Sequence, residues 1–137
     1  RSGLPDRTLA AIDETVHLCR NNTGMQLCLA VNYGGRAEIV EATRTLARRV
    51  ADGLLQPDEI DERSIEAHLE TNGMPDPDLL IRTAGEMRLS NFLLWQMSYA
   101  EFWVTPDLWP DFTENHLDEA LAAFQSRERR FGGLSST

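Results

Sequence analysis

The residues best equipped for chemistry lie in one run, Arg82-Thr83-Ala84-Gly85-Glu86-Met87-Arg88-Leu89-Ser90-Asn91. Arg82 and Arg88 are planar forks that match phosphate or carboxylate oxygens two at a time, Gly85 permits a close backbone approach, and Ser90 is expected to cap the helix that follows while offering a hydroxyl with its flanking amides. Together they could cradle a diphosphate. They could equally be two exposed arginines paired with local acids around a strand-to-helix turn. A second turn, Asn32-Tyr33-Gly34-Gly35-Arg36, has similar ingredients but a single arginine, and reads as a glycine turn beside a solvated side chain. Glu101 stands between the apolar runs 92–99 and 102–104, where a carboxylate needs an arginine partner or a hard cation such as Mg2+. One carboxylate cannot hold Mg2+ alone; phosphate oxygens or another acid must help. The tail Arg127-Glu128-Arg129-Arg130-Phe131-Gly132-Gly133 ends a helix with positive charge, either as a plain cap or as an arm that reaches for an anion.

Such a cradle needs a scaffold that brings strand ends and helix starts together, and the hydrophobic pattern supplies one. Leu9, Ile12, Val16 and Cys19 share a helical face that closes near Asn21-Asn22-Thr23-Gly24. The apolar run from Met25 to Tyr33 has strand length and is expected to be buried on both faces. Ile39, Thr43, Leu46, Ala47 and Val50 mark a second helix that Gly53 stops, and Pro57 with Asp61 opens a short helix burying Ile65 and Leu69. Beyond the loop at Gly73, Pro75 and Pro77, Leu79-Leu80-Ile81 is the next strand. A long helix is expected from Ser90 through Phe92, Leu93, Trp95 and Gln96, then a strand at Phe102-Trp103-Val104 and a last helix burying Leu117, Ala120, Leu121 and Phe124. Strands alternating with helices predict an α/β fold, a parallel sheet of about three strands flanked by helices, within one domain. So thin a sheet suggests strands upstream or from a partner, and the apolar stretch from Phe92 to Val104 argues for a dimer.

Composition narrows the partners. A net charge of −9 and a pI near 4.7 exclude nucleic acid as a main partner, so any phosphate must be held locally. All 13 basic residues are arginine, which makes their positions more telling than their number. Cys19 and Cys28 lack CxxC spacing and read as buried free thiols in a reducing compartment, and His17, His68 and His116 show no ligand or base spacing. Trp95, Trp103 and Trp109 read as core or interface. With no signal peptide and no apolar run of membrane length, a cytoplasmic protein with at most peripheral membrane contact is expected. The chain opens on Arg1-Ser2-Gly3 without a methionine and is expected to be a piece of a longer protein.

The block Arg-Thr-x-Gly-Glu-x-Arg-x-Ser-Asn-Phe-Leu-Leu-Trp-Gln at 82–96 is followed by Tyr-Ala-Glu at 99–101, Leu-Trp-Pro-Asp-Phe at 108–112 and Arg-Glu-Arg-Arg-Phe-Gly-Gly at 127–133. Together with Asn32-Tyr33-Gly34-Gly35-Arg36 and Gln56-Pro57-Asp58, it closely resembles the cis-prenyltransferases of the undecaprenyl diphosphate synthase type. The resemblance implies condensation of isopentenyl diphosphate with an allylic diphosphate, usually farnesyl diphosphate, extending a chain with cis double bonds. It implies that Arg82, Arg88, Leu89 through its backbone and Ser90 hold the diphosphate of isopentenyl diphosphate, and that Glu86 is a catalytic-site glutamate. It also implies that Glu101 binds Mg2+ and that Arg130 and Gly132 complete the site across a homodimer. Arginines and Mg2+ would then neutralise diphosphate without a covalent enzyme intermediate.

The family's Asp-Gly-Asn-x-Arg-Trp and Phe-Ser-x-Glu-Asn-Trp motifs are absent from these 137 residues. Residues 1–137 are therefore expected to be the C-terminal portion of one cis-prenyltransferase domain, carrying the isopentenyl diphosphate half-site and inactive alone. The competing readings are a non-catalytic partner subunit and a generic phosphate-binding α/β module. Intact Arg82, Glu86, Arg88 and Ser90 count against the first.

Overall fold

The computed structural model describes residues 3–127. At Gly34 the chain divides into two units, Arg1–Gly34 and Gly35–Thr137.

In the first unit, helix α1 (Asp6–Cys19) starts after Pro5, whose φ of −60° suits a helix entry and whose carbonyl accepts the Thr8 and Leu9 amides at 2.9 and 3.1 Å. Its apolar stripe is only half covered: Leu9 and Ile12 are intermediate, Val16 is exposed and no residue is buried. The strand expected from Met25 to Tyr33 does not form. Met25, Leu27, Leu29 and Val31 are all exposed, and among the described residues no strand pairs with this run. A strand buried on both faces needs ladder partners and covering layers, and among the described residues this run has no ladder partner and its apolar side chains stay exposed. For the same reason Cys19 and Cys28 are exposed free thiols rather than buried ones.

In the second unit, helix α2 (Gly35–Ala51) buries Gly35, Glu38, Ala42 and Leu46. The buried face is therefore rotated from the expected one: Ala42 takes the inner position, and Thr43 and Ala47 face solvent. Gly53, at φ +71°, ends it as foreseen, with Leu54 N–H closing back on the Arg49 carbonyl at 2.9 Å. Helix α3 (Glu62–Glu66) is capped by Asp61, whose carboxylate accepts the Ser64 amide at 2.8 Å, and Leu69 is buried beyond it.

Strands β1 (Leu79–Arg82) and β2 (Glu101–Val104) pair in parallel, from Leu79 beside Glu101 to Arg82 beside Val104. The sheet among the described residues has these two strands rather than three. The crossover through residues 83–100 is a chain of turns, not the helix expected from Ser90. Ser90, Asn91 and Leu93 have φ of +51°, +62° and +44°, which a right-handed helix cannot accommodate. A three-residue 3-10 turn, Trp109–Asp111, leads to helix α4 (Glu114–Gln125). Ala120 is fully buried on α4, while Leu117 and Leu121, expected inside, are each 42% exposed. Ala42, Leu46, Leu69, Met97 and Ala120 form the core. Of the tryptophans, Trp95 and Trp103 are half-buried, but Trp109 is exposed, contrary to a core role. No described helix is long and apolar enough to cross a membrane.

Candidate anion-binding site

The cradle sits where β1 ends. Arg82, its last residue, and Arg88 both reach Glu86: Arg82 Nη2 lies 3.6 Å from Glu86 Oε2, and Arg88 Nη2 is ion-paired with the same oxygen. Arg82 Nη2 also faces Ser90 Oγ at 3.4 Å. Two guanidinium groups thus converge on one carboxylate, with the Ser90 hydroxyl accepting from one of them. Arg82 Nε is buried and has no hydrogen-bond acceptor among the described residues, so the cluster retains an unused donor. Such a set is chemically an anion site held by an internal anion, with Arg88 two-thirds exposed at its mouth.

The backbone shape of the loop is set by its neighbours. Ala84 and Gly85 stand at φ +62° and +64°, and their N–H groups donate to the carbonyls of Asp107 and Thr105, each at 2.8 Å. A Cβ on Gly85 would come no nearer than 4.0 Å to Pro106 Cα, so this glycine supplies a left-handed backbone rather than room for a close approach. Thr105 N–H in turn donates to the Arg82 carbonyl at 2.9 Å, continuing the β1–β2 ladder past its last pair.

Ser90 does not cap a helix. Its neighbour Asn91 caps α2 from 55 residues away: the Asn91 carbonyl accepts Gly35 N–H at 2.8 Å and Oδ1 accepts Arg36 N–H at 2.9 Å. A Cβ on Gly35 would meet Leu94 Cγ at 3.0 Å, so the approach of α2 to this segment depends on glycine. The Gly35-Arg36 step, read from sequence as a bare turn, is in fact tied to the cradle segment. Behind it, buried Gln96 donates through Nε2 to Glu38 Oε1 at 3.1 Å and to Thr71 Oγ1 at 2.8 Å, while Glu70 N–H donates to Glu38 Oε2 at 3.0 Å.

Glu101 takes the first of its two expected fates: Arg127 Nη1 donates to its Oε2 at 2.6 Å. No described group of three or more histidines, cysteines or acids could hold a metal ion. A lone, ion-paired carboxylate is a poor Mg2+ site, so the described residues do not fit the ion by themselves. Arg130 and Gly132 lie outside the described residues. A cavity of about 330 Å³ lies away from the cradle, against Arg63, Glu66, Asp76 and Gln96; there burial, and then Glu66, raises the Asp76 carboxyl above its ordinary value.

One hydrogen-bonded network beside the loop escaped the sequence reading. His116 Nε2 lies 3.1 Å from Asp107 Oδ2, and Thr105 Oγ1 donates to the same oxygen at 2.8 Å. The Thr105 hydroxyl first, and then His116, hold the Asp107 carboxyl below its ordinary value against the opposing effect of desolvation. The available signal was Thr113-x-x-His116, the spacing of a helix cap and its reciprocal partner.

Residues 1–132 match the prenyltransferase family model of undecaprenyl diphosphate synthases. The chain is 54% identical over 133 residues to an isoprenyl transferase of Geobacillus kaustophilus, covering 97% of this chain and 52% of that protein. It is 52% identical over 137 residues to dehydrodolichyl diphosphate synthase 2 of Arabidopsis thaliana, covering 98% and 44%. Among solved structures, lavandulyl diphosphate synthase from Lavandula x intermedia, in complex with dimethylallyl diphosphate, matches with a TM-score of 0.89 at 53% identity, over 96% of this chain and 56% of that one. The chain spans about half the length of the curated relatives it matches.

Proposed function

The chain belongs to the undecaprenyl diphosphate synthase family, and from that membership we propose that it is the C-terminal portion of a transferase joining isopentenyl diphosphate to an allylic diphosphate, with farnesyl diphosphate as the favoured allylic substrate. In that reaction the alkene of isopentenyl diphosphate attacks the allylic carbon as its C–O bond breaks. Diphosphate leaves with the bonding electrons, and a proton is lost from the lengthened chain.

This chain contributes the isopentenyl diphosphate half-site. Arg82, Arg88, Ser90 and the Leu89 backbone hold the diphosphate, and Glu86 keeps the two guanidinium groups converged before the substrate arrives. Arg130 and Gly132 complete the site from the partner copy of a homodimer. Mg2+ at Glu101 would require Arg127 to withdraw and further oxygen ligands to arrive, so no step is assigned to it. The observation that supports the reading most directly is the convergence of Arg82 and Arg88 on the Glu86 carboxylate, with the Ser90 hydroxyl against Arg82 and Arg82 Nε still unused among the described residues. Diphosphate presents more oxygens and more charge than the carboxylate it would displace.

Calorimetric titration of isopentenyl diphosphate into the chain should give saturable binding. Arg82→Ala and Arg88→Ala should each weaken it by about 10- to 100-fold, because a hydrogen bond to a charged group is worth about 1.5–3 kcal/mol. Incubation with radiolabelled isopentenyl diphosphate and farnesyl diphosphate should give no product from this chain alone. Turnover would overturn the half-site reading, unchanged affinity in both variants would overturn the site, and preference for ATP would favour a generic phosphate module.

A further inference from the structure

Ala84 and Gly85 are consecutive left-handed residues, and for alanine that conformation is unfavourable, so something outside the loop must hold it. The holders are two carbonyls of the turn Thr105-Pro106-Asp107, which accept the Ala84 and Gly85 amides. That turn has its own lock. The buried Thr105 hydroxyl donates to Asp107 Oδ2 at 2.8 Å and accepts the Asp107 amide at 3.2 Å, so side chain and backbone close on each other.

The lock is tied to α4. His116 Nδ1 accepts the Thr113 amide at 3.0 Å, which leaves the ring proton on Nε2, directed at Asp107 Oδ2 at 3.1 Å. Phe112 stacks on the His116 ring at a centroid distance of 5.3 Å and fixes its plane. A continuous set of contacts therefore runs from the start of α4 through His116, Asp107 and Thr105 to the backbone between Arg82 and Glu86. None of Thr105, Asp107 and His116 falls within the sequence blocks that carry the family resemblance.

We propose that Asp107 and His116 are positioning residues for the anion cradle: by locking the 105–107 turn they hold the left-handed Ala84-Gly85 step that lets Arg82 and Arg88 meet one anion. This rests on the reading of the cradle as the isopentenyl diphosphate site. Neither residue touches the anion; both act through the two carbonyls.

The test is hydrogen exchange at the Ala84 and Gly85 amides, read alongside isopentenyl diphosphate affinity, in Asp107→Ala, His116→Ala, the double variant and Ala122→Gly. Ala122 is exposed on α4, so its glycine variant weakens the helix without touching the lock. Each lock variant should speed exchange at both amides by about three- to tenfold, the scale of one net hydrogen bond, and weaken isopentenyl diphosphate binding by a similar factor. The double variant should be no worse than the worse single, and Ala122→Gly should leave both readouts unchanged. Equal effects from Ala122→Gly would reduce His116 to a helix cap, and unmoved exchange in Asp107→Ala would overturn the lock outright. If the parent chain binds no isopentenyl diphosphate, the site reading fails while the exchange measurements still decide the lock.

Discussion

Two apolar runs of similar character meet opposite fates in this chain. Leu79–Arg82 and Glu101–Val104 pair in parallel, every residue half-covered, and their ends organise the arginine cradle. Met25 to Val31, richer in uninterrupted apolar side chains, pairs with nothing among the described residues and leaves Leu27 at 76% exposure. The difference lies in what surrounds each run. Parallel pairing needs a long connection that returns the chain to the same edge, and residues 83–100 provide one between β1 and β2. Strand-forming composition is a capacity, and only a neighbour in register turns it into a strand.

That contrast can be broken most directly with matched truncations. Leu46 is 3% exposed and sits in the core of the paired unit, so Leu46→Ala should cost about 2–4 kcal/mol in urea unfolding. Leu27→Ala, in the unpaired run, should change stability by no more than about 0.5 kcal/mol. Comparable losses at the two positions would mean that the Met25 run is buried in solution, and the comparison would collapse.

The parts of this structure legible in the sequence are those whose cause is local. β1, β2, the α2 stop at Gly53 and the arginine cluster each follow from residues adjacent along the chain. What could not be read depends on distant polar partners. Asn91 is drawn into a left-handed conformation while serving the first amides of α2, and this removes the helix that the apolar spacing of Phe92, Leu93 and Trp95 predicts. Glu38 is buried at 4% exposure on the strength of Gln96 and the Glu70 amide, and that bond set shifts the inner face of α2 toward Ala42. Glu101 was legible as a carboxylate needing a counter-charge, but only the fold selects Arg127. Periodicity reports which side chains prefer burial and carries no information about a hydrogen bond 55 or 58 residues away.

A smaller effect sharpens the contrast on the paired side. In Gly35→Ala the new Cβ would stand 3.0 Å from Leu94 Cγ and 3.1 Å from the Leu94 backbone nitrogen, and backbone cannot step aside as a flexible side chain can. Overpacking of this kind costs about 1–3 kcal/mol. It should also weaken the bonds from Gly35 and Arg36 to Asn91, visible as faster amide exchange at both. Gly24→Ala, in the first unit, meets nothing within 4 Å and should be close to neutral. A neutral Gly35→Ala would show that α2 does not depend on close approach to the cradle segment.

The smallest expected effect is one of pH, and its two sources have opposite signs. Asp76 is raised by burial and then by Glu66, so its charged form opposes folding, and stability attributable to it should rise as acid protonates it. Asp107 is lowered, chiefly by the Thr105 hydroxyl; its contribution is complete above the unfolded value and is lost as pH falls below about 4 and through the folded value. Both groups lie in the paired unit, and the run from Met25 to Val31 contains no carboxyl group at all. Amide exchange in the paired unit, corrected for intrinsic rates, should therefore slow slightly on mild acidification and then quicken, while residues 25–31 show neither phase. Asp76→Asn should remove the first phase and Asp107→Ala the second. A pH response of residues 25–31 that follows the paired unit would show that the two units share one cooperative transition, and the contrast between them would then lie in burial alone.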